Sequence, residues 1–312
     1  MNGEPLTGAA VTERFVDALN DFVEKVRPDR SIVAVILSGS LAYDKVWRKS
    51  DIDLTVVVRD QTLDVKEFCI VEDDILINAS VTTHTDFKRT LSRMRGGEFT
   101  HSFFARSKIV YTKDESLYAL LEDAQRLGGD DRDFAFFNGC SFLIGLMEKV
   151  EKWLVVRDNL LYAQYYILKI ADELASLKLI SDGKIPSRES VLRVMDYDPA
   201  FIAPFYTAPL TGNMDADAVR ACLARANTFL AANTGMLLRT VERFMQPGEI
   251  MTTTALSKLM GIPPSAAFHT LEFLTCTDAV EMASETIRML PKGTKCVEEA
   301  GFIYIKAECG EV

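Results

Sequence analysis

Apolar residues change their spacing twice along this 312-residue chain, and the changes divide it into three parts. Phe15, Ala18, Leu19, Phe22 and Val26 recur at helical spacing over 11–26, and Pro28 stops the pattern. Residues 32–37 are almost continuously apolar, which predicts a strand buried on both faces. A second strand is predicted at 52–58. Residues 68–71 and 75–82, parted by Glu72, Asp73 and Asp74, read as a hairpin or two successive strands. A helix over about 85–95 and a short strand at 109–111 complete a unit ending near residue 125. Mixed strands and helices predict an α+β (mixed α/β) domain over 1–125.

Between 126 and 246 the strand signal disappears. Residues 136–154, 160–179, 187–195 and 217–244 carry apolar positions at i, i+3, i+4, and the proline-containing stretch 199–209 interrupts them, which predicts an α-helical bundle domain. From 247 to 312 two short helical patterns, 253–260 and 264–274, flank Gly261-Ile262-Pro263. Short β-like runs follow at 279–283, 286–290 and 302–305, with a turn at Lys292-Gly293-Thr294. Helix, turn, helix and hairpin predict a winged-helix-like C-terminal domain.

Charge narrows the functions this layout can serve. With 35 Lys+Arg against 45 Asp+Glu the chain has a net charge of −10, so a large polyanion-binding surface is not expected. The last part is acidic on its own: nine acids face five bases after Pro247, and 265–274 has no Lys or Arg to meet a phosphate backbone. A packing or homodimerisation role therefore fits that part better than reading nucleic acid. Residues 1–10 lack a basic segment followed by an apolar one, and no apolar run reaches the roughly 20 residues needed to cross a bilayer, so neither secretion nor a membrane span is expected. Six scattered cysteines without a CxxC pair suit reduced thiols in the cytoplasm. His84, His101 and His269 lie far apart, without zinc-site spacing.

The chemistry concentrates where the first two strands end and begin. Val35-Ile36-Leu37-Ser38-Gly39-Ser40 is followed, after ten intervening residues, by Asp51-Ile52-Asp53-Leu54. A glycine at a strand end lets backbone approach a ligand, Ser40 adds a hydroxyl donor, and a helix starting just after it would aim free N–H groups at a phosphate. Side chains alternate along a strand, so Asp51 and Asp53 project from one face, roughly 6–7 Å apart. Two such carboxylates can hold one or two hard cations, and divalent ions in that position assist in-line phosphoryl displacement.

Gly39-Ser40 followed by Ser50-Asp51-Ile52-Asp53-Leu54 resembles the signature of the DNA polymerase β-type nucleotidyltransferase superfamily. The whole chain is similar to bacterial nucleotidyltransferase-like proteins that append a helical substrate-binding domain and a C-terminal helix-turn-helix domain. Residues 97–106 before the predicted fifth strand, and 153–179 in the bundle, support the likeness. The resemblance implies transfer of a nucleoside monophosphate from an NTP to a small-molecule hydroxyl, with aminoglycoside and lincosamide enzymes as the nearest analogy. It implies Mg2+ or Mn2+ at the catalytic pair Asp51 and Asp53, with Gly39 and Ser40 on the triphosphate. It also implies an acceptor held between the first two domains, where Glu189 is a candidate general base. An acid there equally suits the first turn of a helix.

One position departs from the family pattern. Counting back from Thr83-His84 puts the third carboxylate of active relatives at Asn78, and an amide can coordinate through oxygen but carries no charge. A slow enzyme, an acid supplied from elsewhere, and a catalytically inactive nucleotide-binding or regulatory protein all fit that departure. Glu72, Asp73 and Asp74 are substitutes in the second case, or simply the exposed acids of a turn. Tyr162, Tyr165, Tyr166 and Lys169 form a helical stripe suited either to packing or to stacking on a base and contacting phosphate. Arg48 and Lys49 either offset phosphate charge or decorate a loop.

Overall fold

The computed structural model describes residues 6–43, 46–93, 104, 106–125, 129–290 and 292–306. The chain packs as two units, Met1–Leu127 and Gly128–Val312.

In the first unit, helix α1 (Ala9–Val26) presents the expected apolar stripe, burying Val11, Phe15, Ala18, Leu19, Phe22 and Val23. The stripe covers one face of a five-stranded mixed sheet made of β1 (Ile32–Ser38), β2 (Ile52–Val58), β3 (Glu67–Glu72), β4 (Ile75–Thr83) and β5 (Lys108–Thr112), in the order β3-β4-β2-β1-β5. Ile52, Leu54, Ile75, Ile77 and Ala79 meet α1 in one cluster. Ala34, Ile36 and Val57 pack on the other face against Phe87 and Leu91 of α3 (His84–Arg93) and Leu117 and Leu121 of the helix Ser116–Ala124. Each large side chain buried in these layers contributes about 1.5–3 kcal/mol. β1–β2, β3–β4 and β1–β5 pair antiparallel, and β2–β4 pair parallel. The β3–β4 connection is a hairpin. Asp73 and Asp74 both take positive φ, 48° and 62°, as the two-residue turn that matches strand twist requires.

In the second unit the long helices Gly129–Glu151 and Leu160–Ser181 pack together, joined through a π-helical turn at Lys152–Val156. The predicted continuous helix over 217–244 is two helices, Ala216–Ala232 and Thr234–Phe244. Asn233 interrupts it by turning its side-chain amide back to Phe229 O at 2.8 Å, competing with the helical ladder. Residues 187–195 resolve into a helix at Ser190–Tyr197, and the proline-containing stretch into two short ones, Pro199–Ile202 and Thr207–Thr211.

The same unit contains helices Thr253–Met260 and Pro264–Leu274 beside a three-stranded sheet ordered β6-β8-β7: β6 (Ile250–Thr252), β7 (Val280–Ile287) and β8 (Val297–Tyr304). The two runs expected at 279–283 and 286–290 are one strand. Ser284 and Glu285 read as a break because they are polar, yet β7 has a mostly exposed face where polar residues continue the pairing. β6, only three residues long, left no periodic signal. Among the described residues no helix is long and apolar enough to cross a membrane.

Candidate functional site

β1 delivers Ser38 opposite Asp53 in the antiparallel β1–β2 register, and the chain turns immediately at Gly39. Gly39 has φ +69°, a left-handed conformation that favours glycine. A Cβ there would sit 2.1 Å from Asp53 Oδ2, so the missing side chain is the space that the carboxylate occupies. The helical turn α2 (Gly39–Ala42) starts at Gly39, earlier than expected, and lasts four residues. Ser40 Oγ within it is shielded from solvent and has no hydrogen-bond partner among the described residues. Ser38 Oγ and Ser107 Oγ, 2.7 Å apart, fasten the end of β1 to the segment entering β5.

Asp51 lies just ahead of β2 and Asp53 within it; both are half-buried. The parallel β2–β4 pairing sets Asn78 directly beside Asp53. Asn78 Nδ2 donates to Asp51 Oδ2 at 2.6 Å. On its other side Asn78 faces Cys69 across the β3–β4 ladder, with the thiol 3.8 Å from Asn78 Oδ1. Asn78 is therefore engaged at both ends of its amide. Ligation of a cation through Oδ1 requires the amide to turn and give up Asp51. The direct bond between Asn78 and Asp51 was not legible beforehand, because counting along β4 places a residue but not its side-chain partner.

This group of residues suits a divalent cation and a phosphate chain. Asp51 and Asp53 provide an oxygen-only, anionic donor pair of the kind hard cations select. The bare Gly39 backbone lets the Asp53 carboxylate lie against the turn, and the unsatisfied Ser40 hydroxyl supplies a donor.

The other expected participants are placed elsewhere. Among the described residues the one three-acid grouping with ligand atoms within 4.8 Å of one another is Asp21, Glu72 and Asp73. It lies at the α1–β3 edge, where Lys25 Nζ already pairs with Glu72. The β3–β4 register carries Glu72 to Ile75, three positions along the strand from Asn78, so the turn acids do not join Asp51 and Asp53. Glu189 is the N-cap residue of the helix Ser190–Tyr197 in the second unit, rather than a first-turn acid, and makes no side-chain cap bond. Most of the fragment 97–106 lies outside the described residues.

The tyrosine stripe forms a ring cluster. Trp153 meets Tyr162 at 4.3 Å between centroids, and Tyr162, Tyr165 and Tyr166 are mutually 5.5–5.7 Å apart. Lys169 Nζ stands 4.9 Å from the Tyr165 ring and 5.3 Å from Tyr166, so its charge is already held on the aromatic faces. A hydrogen bond from Lys169 to Tyr165 raises the lysine pKa. His84 is structural: Nε2 lies 2.7 Å from Asp114 Oδ2, which Lys88 Nζ also approaches at 3.1 Å. Hydrogen bonding by Ser116 and Lys88, with His84 adding to it, holds Asp114 well below the usual carboxylate range.

Residues 20–116 match the family described as Polymerase beta, Nucleotidyltransferase. No curated protein matches the chain. Among solved structures the chain is similar to a nucleotidyltransferase-like protein from Exiguobacterium sibiricum 255-15, with a TM-score of 0.63 at 12% identity, over 94% of this chain and 100% of that one. A looser similarity, TM-score 0.34 at 11% identity, over 69% of this chain and 98% of the other, is to spectinomycin adenyltransferase from Enterococcus faecialis, solved with ATP and spectinomycin.

Proposed function

We propose that this chain, whose residues 20–116 match the polymerase β-type nucleotidyltransferase family, transfers a nucleoside monophosphate from an NTP to a small-molecule hydroxyl, assisted by Mg2+ or Mn2+. The observation that carries this reading is the convergence of the Gly39 cradle with Asp53, beside a solvent-shielded Ser40 hydroxyl that has no partner among the described residues.

Each residue then has a definite task. Gly39 lets the turn approach the triphosphate, and Ser40 Oγ donates to one of its oxygens. Asp51 and Asp53 hold the cation. A bound divalent ion supplies positive charge to the transferring phosphoryl group. Asn78, through its 2.6 Å bond, is a positioning residue that fixes the orientation of Asp51. We assign the acceptor-side base to Glu189, and the acidity beyond residue 247 supports a small acceptor over a nucleic acid.

A second reading, a nucleotide-binding protein without turnover, is favoured by one observation. The neutral amide of Asn78 is bonded to Asp51 where a third carboxylate is expected, so the site holds one negative charge fewer for a second ion. Incubation with each α-labelled NTP, Mn2+ and a panel of hydroxylated acceptors separates the two. A labelled acceptor and released pyrophosphate, both lost in Asp53→Asn, support transfer. Metal-dependent NTP binding without product supports the second reading, and binding indifferent to Asp51→Asn/Asp53→Asn overturns both.

A further inference from the structure

The α1 side of the first unit contains a cavity that the residues around Asp53 do not use. It measures about 220 Å3 and is lined by Val11, Arg14 and Phe15 of α1, Arg48 ahead of β2, and Asp74 and Ile75 at the β3–β4 turn. That is room for several waters, or for a small hydrated ion. Ile52, Ile75 and Ile77 face α1, and strand alternation turns Asp53 and Asn78 the other way, so the cavity lies across the sheet from the candidate catalytic group.

Its chemistry is that of an anion site. The chain carries a net charge of −10, yet two guanidinium groups line this one cavity, and neither has an ion-pair or hydrogen-bond partner among the described residues. The two arginines come from segments that are tied together: Arg48 N donates to Leu6 O at 2.9 Å, and Thr7 bridges Trp47 just before α1 begins. Arginine forks match the geometry of tetrahedral oxyanions and keep their charge at any physiological pH. Val11, Phe15 and Ile75 supply buried apolar lining, while Arg14, Arg48 and Asp74 are exposed to solvent, where an ion can reach them. Asp74 adds one acceptor. A carboxylate beside two arginines suits an oxyanion that still carries a proton, as inorganic phosphate does at neutral pH and sulfate does not.

We propose that this cavity binds a phosphate group through Arg14 and Arg48, independently of the metal site across the sheet. The phosphate is either free inorganic phosphate or the tail of a nucleotide.

The test is calorimetric titration of inorganic phosphate into the full chain without divalent metal, with sulfate as comparator and a non-hydrolysable ATP analogue as the second arm. Phosphate should bind wild type and Asp51→Asn/Asp53→Asn alike, at least tenfold more weakly in Arg14→Gln/Arg48→Gln, and sulfate should bind more weakly than phosphate. If the occupant is a nucleotide tail, the analogue competes with phosphate and weakens in the arginine variant. If it is free phosphate, the analogue binds both proteins equally. Absence of phosphate binding by wild type, undiminished binding in the arginine variant, or equally tight sulfate overturns the proposal. None of these results touches the reading at Asp51 and Asp53, which is decided by metal-dependent NTP binding.

Discussion

Asn78 Nδ2 donates to Asp51 Oδ2 at 2.6 Å, so the residue standing at the expected third-carboxylate position serves one of the two acids instead of joining them. An amide in this place orients Asp51 and partly offsets its charge. A carboxylate would repel Asp51 until a cation bound both.

Asn78→Asp should therefore tighten Mn2+ binding by at least tenfold, equivalent to about 1.4 kcal/mol, and lower the thermal midpoint of the metal-free protein. Calorimetric Mn2+ titration and thermal unfolding with and without metal check this. Unchanged affinity would mean that Asn78 does not face the ion.

Gly39→Ala should impair folding and nucleotide binding together. The left-handed φ alone costs an alanine about 1–2 kcal/mol, and the new methyl meets Asp53 Oδ2 at 2.1 Å, displacing the carboxylate or the turn. Denaturant unfolding and NTP titration read the two losses, and Ser40→Ala, which keeps the backbone, should lose only the second.

Glu173 ties stability to pH. Burial, and then the neighbouring Asp172, push its carboxyl up to about 7 from 4.5, and its Oε1 lies 3.1 Å from the position that a Gly139 side chain would fill. Below pH 4.5 folded and unfolded chains are both protonated there. Between pH 4.5 and 7 the unfolded chain ionises first, so stability falls by on the order of 3 kcal/mol and then levels off. Glu173→Gln should remove that slope and be the more stable protein at pH 8. Parallel pH dependences for variant and wild type would contradict the assignment.

Arg239 holds the buried Asp133 with two bonds, Nε to Oδ2 at 2.5 Å and a terminal nitrogen to Oδ1 at 2.9 Å, tying the helix Thr234–Phe244 to Gly129–Glu151. Arg239→Ala should destabilise the protein by about 1–3 kcal/mol, because among the described residues it leaves the buried Asp133 carboxylate with only Arg132 Nε, 3.9 Å away. The double variant Asp133→Ala/Arg239→Ala should lose less than the sum of the two single changes in denaturant unfolding.

Much of the first unit was legible because its signals are local and redundant. The apolar runs of β1 and β2, the polar pair at the β3–β4 turn and the α1 stripe each point to one element, and the Gly-Ser and Asp-x-Asp motifs sit at the ends of those runs. What was not legible depends on long-range contact. Asn78 could be counted to its strand, but its bond to Asp51 spans 27 residues and exists only through the β2–β4 register. The break at Asn233 hides in a helical pattern because a polar residue at a helix surface looks the same whether or not its amide bonds the backbone. The Arg14–Arg48 cavity joins residues 34 positions apart, and neither stands out on its own.

The proposed function stands on Asp51 and Asp53 holding a divalent cation for a nucleotide seated on Gly39 and Ser40. The measurement that bears on it most directly is NTP affinity with and without Mn2+, in wild type and Asp51→Asn/Asp53→Asn. Mn2+ should tighten NTP binding to wild type at least tenfold and leave the double variant unaffected. Equal enhancement by Mn2+ in both proteins would contradict it.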